Sequence, residues 1–594
     1  MKDLFLVLGS GERVGALCDG GAARFSETLC APAGAPRRDG ELLCVFCGDV
    51  YRYRDTALPH ETPEVWLAAA WRKYGEGLLD QLEGKFALAV ADPAEGRLFF
   101  ARDHFGGLPL FWCAGADFVG VSGKLGALAE CGLVKKELSP AGLCDYFSLR
   151  YIPAPGTIYR DIRALPPGCC VSARTEGGRV TVRERCWWDV DCRSETMDYN
   201  YERCRSALRE SVIRATEERL FPGANGVFLS GGIDSTILSG VSAKLLGRPM
   251  DSFTVGFREK EFDESPRARI AAEAHGLRPH VYLLDYDEAL GELDRIIAGF
   301  DQPFADDSAV PTWIINRFAA AEGVTNVLTG DGSDQIFAGS NKYLIRHYVD
   351  RLRRVPAPAR RLAHAALLAL PDRDARTRKL RKVFACAEMD AYGMRRRMLQ
   401  LCLGDAELRE LLRDGTVDPG CDTVARLYRV HSGKTDELTN TLYVDLKIMV
   451  DGCMMAKMGS MSRLAGVDTH MPLLSQAVLE TAYHIPPEFK QRGTGGKLIL
   501  KDAFADVIPP ALMTASKKGF MPPVAAWFRG PLLDDLRREL SQARLEELSL
   551  FDPAFVQRMI REHVSLVADR SVVLWALYVF SKWHRRAFEN GGTP

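Results

Sequence analysis

Gly226-Val-Phe-Leu-Ser230-Gly231-Gly232-Ile-Asp234-Ser235-Thr236-Ile237 is the stretch on which the reading of this chain turns. A short β-type apolar run, residues 227 to 229, meets a turn of small residues, and an amphipathic run from Ile237 to Leu246 follows at helical spacing. The pattern predicts strand, tight loop, helix. Two glycines let backbone N–H groups come close to an anion, and a helix starting near Asp234 aims its positive end at the same place. A phosphate suits that geometry. The other common phosphate loop is ruled out, because no Gly-Lys-Ser/Thr follows at the required spacing. Asp234 within the loop suits a Mg²⁺ ion carried on phosphate oxygens, since that ion takes carboxylate oxygen and keeps several waters.

Around this loop lie 594 residues, enough for two domains or more. A net charge of −1 and a pI near 6.8 give no reason to expect a nucleic-acid or membrane partner. The 16 cysteines show no paired spacing typical of zinc. Cys169 and Cys170 are adjacent, and Cys44 and Cys47 have no second pair, so reduced cysteines of a cytoplasmic protein are expected. The apolar run in residues 4 to 8 is too short for a secretion signal, and no apolar run is long enough to span a bilayer.

Residues 1–185 read as many short strands punctuated by glycine and proline, with helix expected over Thr62 to Tyr74 and Leu78 to Leu82. An α+β domain on antiparallel sheets fits that order. The Gly9-Ser-Gly11-Glu-Arg-Val-Gly15 stretch reads as a surface turn, lacking a βαβ unit around it. From about Tyr199 the pattern becomes strand and helix in alternation: Gly226 to Leu229, a helix to Leu246, Ser252 to Gly256, a helix over Ser265 to His275, then Pro279 to Leu284. That order predicts a parallel sheet with helices on both faces and ligands beyond the carboxyl ends of the strands. Val255 ends one strand, either against an adenine or as a core residue. Val327-Leu-Thr-Gly330-Asp331-Gly-Ser-Asp334 ends another, and Asp334 with Asp234 would offer two carboxylates on two loops to a Mg²⁺ bridging phosphates. Residues 340 to 450 read as basic amphipathic helices with solvated faces.

Three stretches of the first half, Gly48-Asp-Val-Tyr-Arg-Tyr53, Leu82-Glu-Gly-Lys-Phe-Ala-Leu-Ala89 and Ala101-Arg-Asp-His-Phe-Gly106-Gly-Leu-Pro-Leu110, resemble the amino-terminal glutaminase domain of the class B asparagine synthetases. The resemblance implies a four-layered sandwich with an N-terminal cysteine nucleophile. Position 2 is Lys, the arginine-rich glutamine clamp has no match between Gly9 and Glu41, Cys47 stands where an asparagine is expected, and the acid expected before Glu64 is missing. An N-terminal nucleophile needs thiolate, base and oxyanion donor together, so a folded domain without glutaminase activity is expected, in preference to Cys18 or Cys30 acting instead.

The second half resembles the synthetase half of the same family. Ser230-Gly-Gly-Ile-Asp234-Ser matches its pyrophosphate loop, Asp301-Gln-Pro-Phe-Ala-Asp306-Asp-Ser-Ala-Val-Pro311-Thr its substrate-side segment, and Thr329-Gly-Asp331-Gly-Ser-Asp334 its second ATP loop. Lys517-Lys-Gly-Phe520, with Pro522 and Trp527, matches its catalytic lysine segment. The implied architecture is a degenerate glutamine-amidotransferase-like α+β sandwich over residues 1–185, then an α/β adenine-nucleotide alpha-hydrolase-like ligase domain over 199–590 with a helical C-terminal part. The implied site assigns ATP to Leu229, Ser230, Gly231, Gly232, Asp234, Ser235, Val255 and Gly330, Mg²⁺ to Asp234 and Asp334, acid/base work to Asp331, and catalytic positive charge to Lys517 and Lys457.

These parts suit adenylation of a substrate carboxylate with release of pyrophosphate, followed by displacement of AMP by an amine. Departures gather at the acceptor end. Where the family carries Lys-x-Asp-Arg and then Glu-x-Arg-x-Pro-Phe-Leu-Asp, this chain has Lys457-Met-Gly459-Ser460 and Asp468-Thr-His470-Met-Pro472-Leu-Leu-Ser475. A small zwitterion is normally clamped by paired charges, so a free aspartate acceptor is less secure. Three readings follow: a ligase taking aspartate, or a similar carboxylate, with ammonia as the donor; a relative of the β-lactam synthetases and lasso-peptide cyclases whose substrate carries its own amine; and a non-catalytic scaffold. The β-lactam branch would carry a tyrosine where Asp331 stands. The reading leaves a homodimer open.

Overall fold

The computed structural model describes residues 4–9, 22–26, 29–32, 37–39, 42–59, 61–257, 263–370, 375–413, 422–514 and 522–589. In the first half, two six-stranded sheets stack face to face. One runs Arg163–Ala164, Phe111–Ala114, Phe118–Ser122, Phe5–Gly9, Leu29–Pro32, Ala22–Ser26 in spatial order. The other runs Arg179–Cys186, Cys169–Glu176, Arg97–Arg102, Leu82–Asp92, Leu42–Tyr53, Arg37–Asp39. Neighbouring strands are antiparallel throughout.

Alternation within the strands builds the layers. Along Leu42–Tyr53, Leu43, Val45 and Cys47 enter a core shared with Leu6, Leu8 and Val121 of the facing sheet. Leu42, Cys44 and Phe46 point the other way, onto Trp66, Leu67 and Trp71 of the helix Pro63–Tyr74. On the far side of the first sheet, Phe111 and Phe118 pack with Leu128, Tyr146 and Phe147 of the helices Leu125–Glu130 and Pro140–Leu149. The result is helix, sheet, sheet, helix. The expected helix near Leu78 is a 3-10 turn, Gly75–Gln81.

The second half is organised on a parallel sheet of β1 (Asn225–Phe228), β2 (Asp251–Gly256), β3 (Arg278–Leu283), β4 (Asn326–Leu328) and β5 (Asp468–His470), in the order β3-β2-β1-β4-β5. Helices α1 (Ile233–Gly240) and α2 (Ser265–His275) pack on one face through Ile237, Leu238, Ala271 and Ala272. Helices α3 (Ala309–Ala321) and α4 (Ala456–Ala465) pack on the other through Val310, Trp313, Ile314 and Met461. The order reverses between β1 and β4, which places a crevice beyond their carboxyl ends. The helix expected to start near Asp234 begins at Ile233, and its end is a π-helical turn, Val241–Leu245.

The halves share a core. Tyr146 and Phe147 pack with Phe551 and Phe580, and the Tyr146 hydroxyl donates to Ala576 O at 2.8 Å within the helix Ser571–His584. Among the described residues no helix is long and apolar enough to cross a membrane.

Candidate functional site

The loop after β1 is shaped by its glycines. Gly231 has φ of +68°, and a Cβ there would lie 2.5 Å from the carbonyl carbon of Arg267, so only glycine lets the loop rest on the start of α2. The Ser235 hydroxyl accepts from Ser230 N at 3.3 Å and donates to Gly232 O at 3.2 Å, while Ser230 Oγ accepts from Gly232 N at 3.2 Å. These hydroxyls hold Leu229, Ser230, Gly231 and Gly232 as one closed turn that caps α1. Val255 is 3% exposed and belongs to the apolar core behind the loop.

The loop after β4 packs on the same helix start. A Cβ at Gly330 would lie 2.7 Å from Asp234 Cβ and 3.0 Å from Ser235 N, so glycine is what permits the two loops to touch. Ser333 Oγ donates to Asp234 Oδ1 at 2.6 Å, and Thr329 Oγ1 donates to Asp331 Oδ2 at 2.7 Å.

Lys497 closes the arrangement. Its Nζ lies 2.6 Å from Asp234 Oδ1 and 2.6 Å from Asp334 Oδ1, with the lysine side chain 7% exposed. The residue sits in the left-handed region, φ +56°, its N–H bonded to Phe337 O at 3.0 Å. A Cβ on Gly496 would meet Ala338 O at 2.3 Å, and one on Gly339 would meet the Lys497 side chain, so both glycines clear the path of this lysine. Nothing in the sequence reading singled out Lys497; the Gly495-Gly496 pair before it was the available sign of close backbone approach.

A second charged cluster stands beside these loops. Lys457, on α4, donates to Asp306 Oδ2 at 3.0 Å and to Ser308 Oγ at 2.6 Å. Burial by itself would lower the lysine's pKa, but the carboxylate of Asp306, then Cys453 and Asp331, outweigh it and hold the ammonium above the ordinary lysine range. Burial would likewise raise Asp306, yet Lys457 and Arg150 hold its carboxyl below the usual carboxylate range. Arg150 reaches across from the first half, with its NH1 3.1 Å from Asp307 Oδ1 and its NH2 3.6 Å from Asp306 Oδ1.

The structure thus brings Asp234, Asp334, Ser235 and Gly330 together, and Asp331, on the same loop as Gly330, is near enough to Lys457 to help raise its pKa. Lys517 lies outside the described residues, as do the start of the chain and Cys18. As a test for Mg²⁺, two carboxylates from different loops converge on one cation, here an ammonium, and that oxygen donor set suits the ion.

The asparagine synthase family profile matches residues 203–585, and a glutamine amidotransferase domain profile matches residues 35–188. A Mycobacterium bovis protein provisionally named as a glutamine-hydrolysing asparagine synthetase is 28% identical over 94% of this chain and 87% of its own. Asparagine synthetase (glutamine-hydrolysing) 1 of Bacillus subtilis is 24% identical over 93% and 86%. A Penicillium rubens protein named amidase chyE is 22% identical over 82% and 76%. With both nucleotide-type loops in place and the matched region covering most of its length, the chain is an ATP-dependent ligase enzyme and belongs to the asparagine synthase family.

Proposed function

We propose that this enzyme adenylates a substrate carboxylate, releasing pyrophosphate, and then joins the acyl group to an amine with release of AMP, without drawing on its own glutaminase. The observation that carries the reading is the convergence of Asp234, Asp334 and Lys497 where the two glycine loops meet. Leu229, Ser230, Gly231, Gly232 and Ser235 would cradle the phosphates of ATP with Gly330 opposite, and the buried Val255 would back the adenine from within the core. Asp234 and Asp334 would hold Mg²⁺, which supplies positive charge to the phosphates and the leaving pyrophosphate. Lys457, kept charged by Asp306, and Lys517 add positive charge near the reacting groups. Asp331 takes the proton from the attacking amine.

One feature of the first half supports an idle glutaminase. Cys47 is 7% exposed within the sandwich core. Aspartate with ammonia is the default pair. The runner-up is a substrate carrying its own amine, favoured by the uncharged Gly459 and Ser460 and by the engagement of Lys457 with Asp306 and Ser308.

The test is AMP and asparagine formation from MgATP and aspartate, with ammonium, glutamine or neither. Asparagine from ammonium alone supports the proposal. Asparagine from glutamine overturns the idle glutaminase, and AMP without asparagine moves the assignment to an amine-bearing substrate.

A further inference from the structure

We propose that Cys169 and Cys186 form a reversible disulfide, a redox-responsive clip at the joint between the two halves of the protein. The two residues are direct partners across the antiparallel hairpin of Cys169–Glu176 and Arg179–Cys186. Trp187 N donates to Gly168 O at 2.8 Å, which makes the neighbouring pair the hydrogen-bonded one and leaves Cys169 and Cys186 at a non-hydrogen-bonded position. Such partners have Cα atoms about 4.5 Å apart with side chains on the same face, within the span a disulfide bridges. The two thiols act on one another directly, each being the largest influence on the other's titration, and Cys186 Sγ also donates to Trp188 O at 3.1 Å.

Exposure divides the work between them. Cys186 is exposed and meets an oxidant; Cys169, 8% exposed, waits behind it. The hydrogen bond from the Cys169 thiol pulls the Cys186 pKa down to about 7 against the effect of burial, with Lys447 assisting. Every other described cysteine with a resolved shift moves the opposite way, Cys169 chiefly through its hydrogen bond to Cys186, and Cys170 to about 11 and Cys402 to about 12 because burial disfavours their thiolates. With a peroxide as oxidant, the Cys186 thiolate attacks one oxygen, the O–O bond breaks, and the released hydroxide takes a proton to become water. Cys169 sulfur then attacks the sulfenic sulfur, and the departing hydroxide leaves with the Cys169 proton as a second water. Two thiols and one peroxide become one disulfide and two waters.

The position of the pair gives it a route into the site. Three residues beyond Cys186, Asp189 is bound by Lys447 Nζ at 2.8 Å and by the Tyr443 hydroxyl at 2.8 Å. Lys447 lies in the π-helical run Leu446–Met455, which continues directly into α4 and Lys457.

The experiment treats the full-length protein at pH 7 with hydrogen peroxide and maps its peptides by mass spectrometry. The expected result is one linked peptide pair joining Cys169 to Cys186, lighter by two hydrogens, restored by dithiothreitol. Alkylation of Cys186 by iodoacetamide in the untreated protein should show a midpoint near pH 7, and Cys169→Ala should move it up toward the ordinary thiol value of about 8.5. Cys186 driven to sulfinic acid with Cys169 still reduced would overturn the proposal, as would both thiols surviving a tenfold excess of peroxide. The mapping is read on the unmutated chain, so it does not depend on any variant folding.

Discussion

Lys497 holds its ammonium 2.6 Å from Asp334 Oδ1 and equally close to Asp234 Oδ1, so one buried cation neutralises two acids from loops 100 residues apart in the sequence. Lys497→Met should leave both carboxylates in a dry site without a counter-charge. Removing one partner of a buried pair costs about 3–5 kcal/mol. The nucleotide-free variant should therefore melt well below the parent, and MgCl₂ should recover part of the loss. A melting temperature indifferent to MgCl₂ would show that these acids do not take the ion.

Gly330 and Gly231 are two positions where an added methyl group has no room, the first where the two loops touch and the second where the loop after β1 rests on the start of α2. Gly330→Ala would press Cβ to 2.7 Å from Asp234 Cβ, and Gly231→Ala would add left-handed strain to contact with Arg267. Each should weaken ATP binding at least tenfold by calorimetry; Gly231→Ala should also cost about 1–2 kcal/mol of stability from backbone strain. Parental ATP affinity in both variants would contradict the placement of the phosphates.

Asp306 sets the acid behaviour of its cluster. Its folded pKa lies below the unfolded value, so the stability it contributes is present above the unfolded pKa, about 3.9, and is lost as pH falls through the folded one. Asp306→Asn should destabilise the protein by about 3–5 kcal/mol at pH 7, since it takes the paired carboxylate from the buried Lys457. That gap should stay constant down to about pH 5 and shrink below pH 4. A gap independent of pH in urea titrations would exclude the ion pair as its source.

Lys490 works against the fold. It is wholly buried, its ammonium 5.0 Å from the Tyr483 ring centroid and without a hydrogen-bond partner among the described residues. Burial lowers its pKa to about 8, with Asp436 and Cys192 opposing weakly. The unfolded chain therefore binds the extra proton across the interval from about 8 to the free-lysine value near 10.4, and stability rises with pH there. Lys490→Met should remove that rise and stabilise the protein at pH 7 by on the order of 3 kcal/mol. A lower melting temperature in the variant would mean that Lys490 is held by a group its burial conceals.

Much of the architecture was legible because local chemistry dictates it. Alternating residues drew the strands of the sandwich, Ser265 to His275 was read as the helix it is, and the Gly231-Gly232 turn announced a strand–loop–helix unit. The residues of the two nucleotide-type loops could be named for the same reason, since glycine and acid positions in a tight turn follow from backbone geometry. Strand β5 was not legible: Asp468-Thr469-His470 is short and polar, and becomes a strand only by pairing with β4, 142 residues earlier. The tertiary structure alone decided that Lys497 would stand between Asp234 and Asp334, that Arg150 would cross to Asp306, and that Cys169 would face Cys186. Charge partnerships of this kind depend on which distant segments share a dry pocket, and sequence spacing carries no record of that.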